Sequence, residues 1–300
     1  MRISTQLLYQ RGVNSIEEQQ SNLSKTQQQL ATGERLRSPA DDPFAATRIV
    51  SLTEQLSTLD QYIRNADVAE TKLNQEETSL TSIINTLQRV REIAVQGAND
   101  VLTADDRQAL SNEVYQRLEG ILQVSNSQDS NGEYIFSGDR TNTVPFSFDG
   151  NGNFNYQGDQ GQRYIQVGSS RQIAVNDSGY AVFENVRLSE GGTDTVMKIV
   201  YDVYDTLNQG ESTNPLLTKL TDALEHVSNV RSSIGARMNA IDSEKQAIDS
   251  FKLSIEKNKS TLQDLDYAEA ISQFQQQLAG LQAAQQTFVQ VQGLSLFNYI

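Results

Sequence analysis

The feature that most constrains this 300-residue chain is a column of branched apolar residues that recurs every seven positions through its second half. Apolar residues at this spacing lie along one side of an α-helix and need a partner helix to cover them. At about 1.5 Å per residue, the column predicts a helix roughly 60 Å long. Its members are Leu220, Val227, Ile234, Ile241, Ile248, Ile255 and Leu262.

The first half of the chain contains a matching column with the same spacing, and we predict that the two columns pack against each other. Further helices are predicted over residues 196–207 and from Thr103, where Thr103 and Asp106 form a capping-box pattern at the start of an apolar-periodic stretch. The members of the first column are Leu52, Leu59, Ala66, Leu73, Leu80, Leu87, Ala94 and Val101.

Residues 132–194 have a different texture, with short β-type runs separated by turn signals such as Asp149-Gly150-Asn151-Gly152-Asn153. The runs cover residues 134–138, 145–148 and 164–167. The predicted fold is therefore mainly α: an elongated antiparallel helical bundle or coiled coil built from N- and C-terminal segments, with a small β-rich inserted domain. Residues 41–131 and 195–265 would form the helical rod.

The two ends, residues 1–40 and 266–300, carry weaker amphipathic helices. Near the start, Ile16, Leu23 and Leu30 are seven apart, but Gln20 and Gln27 occupy the companion positions. Helices that bury so little apolar area become ordered when neighbours supply the missing surface. We therefore expect both ends to be disordered in the monomer and to pair in a polymer. The apolar residues of the C-terminal end are Ile271, Phe274, Leu278, Leu281, Phe288, Leu294, Leu296 and Phe297.

Composition argues against several classes of function. The net charge of −14 disfavours nucleic acid and anionic membranes, and without cysteine the chain has no thiolate metal site. No apolar run reaches the ~18 residues needed for membrane insertion, and the start lacks a secretory signal, so we expect a cytoplasmic chain or one exported by another route. The single histidine, His226, has no second imidazole beside it. We expect no enzyme, no cofactor and no metal.

Three segments of the chain resemble the family of flagellins and hook-associated protein 3. They are residues 30–43 (LATGERLRSPADDP), residues 87–96 (LQRVREIAVQ), and the C-terminal end with DYAEAI at 266–271, LQAA at 281–284 and LSLFNYI at 294–300. The MRIST start, the two prolines of SPADDP and the LFNYI ending resemble the hook-associated branch more than filament flagellins. The resemblance covers the helical parts, about three quarters of the chain.

The resemblance implies a structural protein of the extracellular flagellum that forms a ring of copies at the junction between hook and filament. The implied partners are further copies of itself, hook-associated protein 1 on the hook side, flagellin on the filament side and a cytosolic export chaperone that covers the C-terminal apolar residues. Export would be unfolded, through the type III apparatus. The paired terminal helices would form an inner tube and the β-rich domain would face outward.

Two clusters are candidates for subunit contacts, each with a simpler interpretation. The loop residues Arg35, Ser38, Pro39, Asp41, Asp42 and Pro43 either contact a neighbouring subunit or only break one helix and cap the next. Arg89, Arg91 and Glu92 either contact a subunit or form a solvated charged face. The C-terminal apolar residues are either an ordinary buried face or a surface that exchanges a chaperone for the assembly.

Three other functions remain open. A short filament flagellin would polymerise by itself into long filaments. A secreted coiled-coil effector or translocator of a related export system would bind host membrane, for which the chain lacks a strong apolar segment. An enzyme is the least supported alternative, since no phosphate loop, nucleophile elbow or calcium-loop spacing is present.

Overall fold

The structure, a computed structural model, describes residues 2–36 and 38–293, most of which are helical. The mainly α fold, built from segments of both halves of the chain, is confirmed. The strands lie between the third and fourth helices, as predicted. The helices are α1 (Arg2–Thr32), α2 (Pro43–Gly97), α3 (Ala104–Ser125), α4 (Val196–Asn208), α5 (Leu217–Gln263) and α6 (Tyr267–Gly293).

The chain forms two compact units, and the first is assembled from two segments that are remote in sequence. The first unit takes the residues up to Thr58 together with those from Ser250 onward, and the second consists of Leu59–Asp249. The predicted division into terminal, rod and insert regions cuts the chain at other points and stays a prediction.

In the second unit, α2 and α5 run antiparallel. Arg231 Nε lies 2.8 Å from Glu77 Oε1, and Lys245 Nζ lies 2.8 Å from Asp67 Oδ1 and 3.1 Å from Glu70 Oε2. Along these two helices the predicted columns are buried, and each buried Leu, Val or Ile side chain contributes about 1.5–3 kcal/mol of transfer free energy. The fully buried members here are Ala66, Leu73, Leu80, Leu87, Ala94, Leu220, Val227, Ile234 and Ile241.

The predicted column was wrong at Val101, which is 86% exposed because α2 has already ended at Gly97. A Cβ atom at Gly97 would lie 2.5 Å from Leu207 Cδ2, so a larger residue would not fit. Carbonyl groups at the end of α2 have no partner within the helix. The buried Arg107 supplies one, because its guanidinium donates to the carbonyls of Gly97 at 2.6 Å and Asn99 at 3.0 Å.

The capping box that starts α3 is confirmed. Thr103 Oγ1 accepts from the Asp106 backbone N–H, and the Asp106 carboxylate accepts from the Thr103 backbone N–H. Helix α3 then packs on α4, where the rings of Tyr115 and Tyr204 lie 5.1 Å apart. The predicted helix over 196–207 is α4, capped by Thr195.

The insert contains three short antiparallel hairpins. Phe146 pairs with Tyr156 across the first, whose loop is closed by Asp149 Oδ1 accepting from the backbone N–H groups of Asn151 and Asn153. The strands are β1 (Phe146–Phe148), β2 (Phe154–Tyr156), β3 (Tyr164–Gln166), β4 (Gln172–Ala174), β5 (Val186–Arg187) and β6 (Thr193–Asp194). The predicted runs at 145–148 and 164–167 are confirmed as β1 and β3.

The predicted strand at residues 134–138 was wrong. Only Tyr134 forms a single β-bridge, with Gln128, and the chain then turns toward Gly138, whose φ is +72°. Its apolar residues serve the core instead: Phe136 is fully buried, with its ring 5.2 Å from that of Phe183. This edge-to-face packing joins two parts of the insert without an extended strand.

Candidate assembly interface

In the first unit, α1 and α6 pair antiparallel through a close contact near their outer ends. The ring of Phe288 lies 5.1 Å from that of Tyr9, and a Cβ atom added at Gly12 would lie 2.8 Å from Phe288 Cδ2. Gly12 therefore lets the Phe288 ring rest on the backbone of α1. The contact between Gly12 and Phe288 was not predicted from the sequence, although an isolated glycine inside a helical pattern is a signal of such a close approach.

The pairing leaves the apolar residues of the terminal helices incompletely covered. Ile16, Leu23 and Leu30 are only half-buried. The predicted polar positions Gln20 and Gln27 are exposed. By contrast, Thr26 is 4% exposed, and Gln277 Oε1 is buried without a hydrogen-bond partner in the described chain. Polar groups thus weaken this pairing, at positions other than those predicted.

The predicted C-terminal face divides into two columns on α6. Phe274, Leu281 and Phe288 are half-buried or buried, and Phe288 contacts α1. Ile271 and Leu278, also seven residues apart, are 47% and 39% exposed. The first column therefore serves the pairing of α1 with α6, and the second is open to another molecule. Leu294, Leu296 and Phe297 lie outside the described residues.

The segments that connect the terminal helices to the long helices are hydrogen-bonded to each other. Arg35 N–H donates to the carbonyl of Gln263 at 2.8 Å, and Leu265 N–H donates to that of Gly33 at 2.9 Å. The Arg35 guanidinium adds a bond to the carbonyl of Leu262 at 2.8 Å. Gly33 has φ +75°, and a Cβ there would lie 2.8 Å from the Tyr267 hydroxyl, so this connection requires glycine.

The loop before α2 is closed by its two aspartates. Asp41 Oδ2 accepts from the Ser38 backbone N–H at 3.1 Å, and Lys25 Nζ lies 2.6 Å from Asp41 Oδ1. Asp42 caps α2, accepting from Ala45 N–H at 3.0 Å, and the exposed Pro43 is the first helical residue. The capping interpretation is confirmed for Asp42, and the exposed Pro39 is available for a further contact.

In the second unit, Arg89 and Glu92 interact within the chain. Arg89 Nε lies 2.9 Å from Glu113 Oε1 on α3, and Arg89 Nη1 lies 3.0 Å from Glu92 Oε2. The hydrogen bond from Arg89 lowers the pKa of Glu113. Arg91 is exposed, and its side chain forms no hydrogen bond or ion pair with the other described residues. A subunit contact at this cluster stays a prediction.

The remaining chemistry of the described residues is sparse. His226 Nε2 lies 2.9 Å from the carbonyl oxygen of Ala181, which gives this half-buried ring a structural partner. Among residues 2–36 and 38–293, His, Asp and Glu side chains form no cluster of three that could hold a metal ion. None of the helices described has both the length and the apolar content needed to cross a membrane.

These features define a class of helical protein in which both chain ends supply paired helices with an uncovered apolar column, and in which strands are inserted between the inner helices. The bacterial flagellin N-terminal helical region matches residues 3–141, and the bacterial flagellin C-terminal helical region matches residues 217–300. Together they match about three quarters of the chain, which belongs to the bacterial flagellin family.

Two relatives differ in how much of the chain they match. Flagellar hook-associated protein 3 of Escherichia coli K12 is 29% identical over 317 aligned positions, covering 99% of both chains. Phase 1 flagellin of Salmonella naestved is 35% identical over 126 positions, covering 42% of this chain and 25% of its own. The chain is a structural component of the bacterial flagellum.

A solved structure shows the same fold. The flagellar junction protein FlgL of Legionella pneumophila superposes with a TM-score of 0.64 at 21% identity, covering 73% of this chain and all of that one.

Proposed function

We propose that this protein forms the junction between the flagellar hook and filament, and that it acts by self-assembly rather than catalysis. The observation that carries the proposal is the end-to-end match with hook-associated protein 3 of Escherichia coli, which covers 99% of the chain, whereas the match with phase 1 flagellin covers 42%. The match spans the inserted strands as well as the helices, which is expected if the whole chain, and not only its ends, serves the same role.

The uncovered apolar column on α6 supports assembly through the terminal helices. Ile271 and Leu278 are exposed on α6, and Leu7 and Tyr9 are 51% and 49% exposed on α1. Ile271 and Leu278 are seven residues apart, and exposed apolar residues at this spacing are typical of a surface that another helix covers. Neighbouring copies in a ring would provide that helix, with hook-associated protein 1 on the hook side and flagellin on the filament side.

The same residues are suited to a transient partner before assembly. An export chaperone that covers the α6 columns in the cytosol would keep the terminal helices from associating early. The chain would then leave the cell unfolded through the flagellar export apparatus, and its terminal helices would order beside other copies. On this proposal, deletion of the last ~30 residues abolishes chaperone binding, and unchanged binding of the truncated protein would contradict it.

A deletion strain tests the junction. Cells without this protein should make hooks, lack filaments and release flagellin monomers into the medium, and the wild-type gene should restore filaments. A double variant, Ile271→Ser with Leu278→Ser, should fail to restore them. Gln275→Ser with Gln282→Ser is the matched control, because both glutamines are exposed on α6 with the same spacing. Normal filaments in the deletion strain would exclude the proposal.

The second candidate is a short filament flagellin, favoured by the local 35% identity to filament proteins. A filament subunit fills a long lattice by itself, so purified protein should elongate filament seeds without any other component. A junction protein should stop after a limited assembly. Electron microscopy of seeds incubated with the purified chain distinguishes the two.

A further inference from the structure

A glutamate lies in the core of the second unit, on α2 where the insert packs against it. Glu76 is fully buried. One carboxyl oxygen, Oε1, accepts from the Asp177 backbone N–H at 3.0 Å, and the other, Oε2, has no hydrogen-bond partner in the described chain. A carboxylate in this position would lose its hydration and recover a single hydrogen bond, which is strongly unfavourable.

A second carboxyl group lies beside it. Asp177 is 7% exposed, accepts from Gln162 Nε2 at 2.8 Å and forms an ion pair with Arg237 of α5. Arg237 also donates to the carbonyl of Ala174 at 3.1 Å. A single guanidinium therefore faces two carboxyl groups, and Asp177 is the one that it contacts. Two ionised carboxylates here would leave one negative charge without compensation.

The other charged groups nearby are paired elsewhere. Lys72, one turn before Glu76 on α2, lies 3.3 Å from Asp129 Oδ2 and 3.4 Å from Glu133 Oε2. Arg163 of the insert lies 2.9 Å from the same Glu133 oxygen, and Arg231 of α5 pairs with Glu77. Arg237 is thus the cation whose charge chiefly counters that of Glu76.

We propose that Glu76 carries a proton when the insert is docked on α2 and α5, so that docking takes up a proton and the insert is held more firmly in acid than in alkali. The proton allows Glu76 to share a hydrogen bond with the Asp177 carboxylate, and it removes the uncompensated charge. Asp177 then remains ionised and paired with Arg237.

The direction of the pH effect follows from the cause. Burial, and secondarily the charge of Asp177, raise the pKa of Glu76 from 4.5 to about 8, while Arg237 opposes this. Below pH 4.5 the carboxyl is protonated whether or not the insert is docked. As the pH rises from 4.5 toward 8, the docked state binds more protons than the undocked chain, so its stability falls. Above pH 8 the dependence on this group levels off.

Urea unfolding of the full chain at pH 5, 6, 7 and 8, followed by circular dichroism, tests the proposal by comparison of variants. Between wild type and Glu76→Gln, the ratio of unfolding constants should change with pH by as much as about tenfold per unit, the limit for one proton. The amide that Glu76→Gln introduces is neutral at every pH, so the stability of the variant relative to wild type should increase as the pH rises. Glu54→Gln, at an exposed glutamate of the same helix, is the control, and the ratio of its unfolding constant to that of wild type should not change with pH.

A direct titration keeps the test decisive if Glu76→Gln does not fold. The chemical shift of the Glu76 side-chain carboxyl carbon, followed by NMR in the isotopically labelled wild-type chain, should show a midpoint well above 4.5. In Asp177→Asn that midpoint should fall, because the neighbouring negative charge is gone and Arg237 is released to Glu76. A midpoint near 4.5 in the wild type, or identical pH profiles for wild type and Glu76→Gln, would overturn the proposal.

Discussion

The two units of the molecule bury their apolar columns to different depths. In the second unit, Leu73, Leu80 and Ile234 are completely inaccessible to solvent, and ion pairs connect the two helices that carry them. In the first unit, Ile16 and Leu23 are only half-buried, and polar groups interrupt the pairing of α1 with α6. One chain therefore contains a completed helix pair and an unfinished one, which is the arrangement that a self-assembling subunit requires.

The largest expected contrast comes from the same substitution made in both units. Ile234→Ala should destabilise the monomer by about 2–5 kcal/mol, since it leaves a cavity in a closed core. Ile271→Ala should change monomer stability by less than ~0.5 kcal/mol, because the residue is 47% exposed on the surface of α6. Urea unfolding measures both. Swimming should nevertheless suffer with Ile271→Ala, and equal losses of stability in the two variants would remove the distinction between the units.

A pair of glycine variants sharpens the contrast within the first unit. Gly12→Ala should weaken the pairing of α1 with α6, because the new methyl displaces the Phe288 ring. Gly280→Ala should stabilise α6 by up to about 1 kcal/mol, since its nearest neighbour, Gln19 Oε1, lies 3.7 Å from the added Cβ. Hydrogen exchange of the α6 amides should change in opposite directions. If hydrogen exchange changed in the same direction in both variants, the packing of Phe288 on α1 would not depend on Gly12.

Much of this contrast could be predicted from the sequence, because it depends on local spacing. The seven-residue columns, the Thr103 capping box and the turn at residues 149–153 are local patterns, and each is confirmed. The end of α2 before Val101 and the turn at residues 134–138 could not be predicted. Both depend on contacts with remote residues, namely Arg107 and Leu207 at Gly97, and Phe183 at Phe136.

The assembly residues were predicted as a set but not in their roles. Spacing alone placed Ile271, Phe274, Leu278 and Leu281 on one amphipathic helix. Which column faces α1 and which stays exposed depends on the rotation of α6, and that is fixed by the contact of Phe288 with Gly12. A glycine more than 250 residues away in sequence carries no local signal of its partner.

A smaller effect is expected at the start of α3, within the completed unit. Thr103→Ala should cost about 1 kcal/mol, since the first turn of the helix loses its side-chain cap. Hydrogen bonds from the Thr103 side chain and backbone lower the pKa of Asp106, and the side-chain bond is lost in the variant. The pKa of Asp106 should therefore rise toward 3.8, which a carboxyl NMR titration detects. An unchanged titration would show that the capping box does not persist in solution.

The smallest effect on stability is expected for Arg89→Ala, and for that reason it separates the two interpretations of the charged cluster on α2. Exposed ion pairs contribute little, so the urea midpoint should move less than for Thr103→Ala. Because the Arg89 hydrogen bond lowers the pKa of Glu113, the small contribution of this pair is present above pH 4.5 and disappears as the pH falls through the lowered pKa. Arg89→Ala should therefore resemble wild type more closely in acid than at pH 7.

If the variant is stable but cells swim poorly, the cluster contacts another subunit. Arg91→Ala should then have the stronger effect on swimming, since its side chain is exposed. Normal swimming with both variants would identify the cluster as a solvated face that ties α2 to α3.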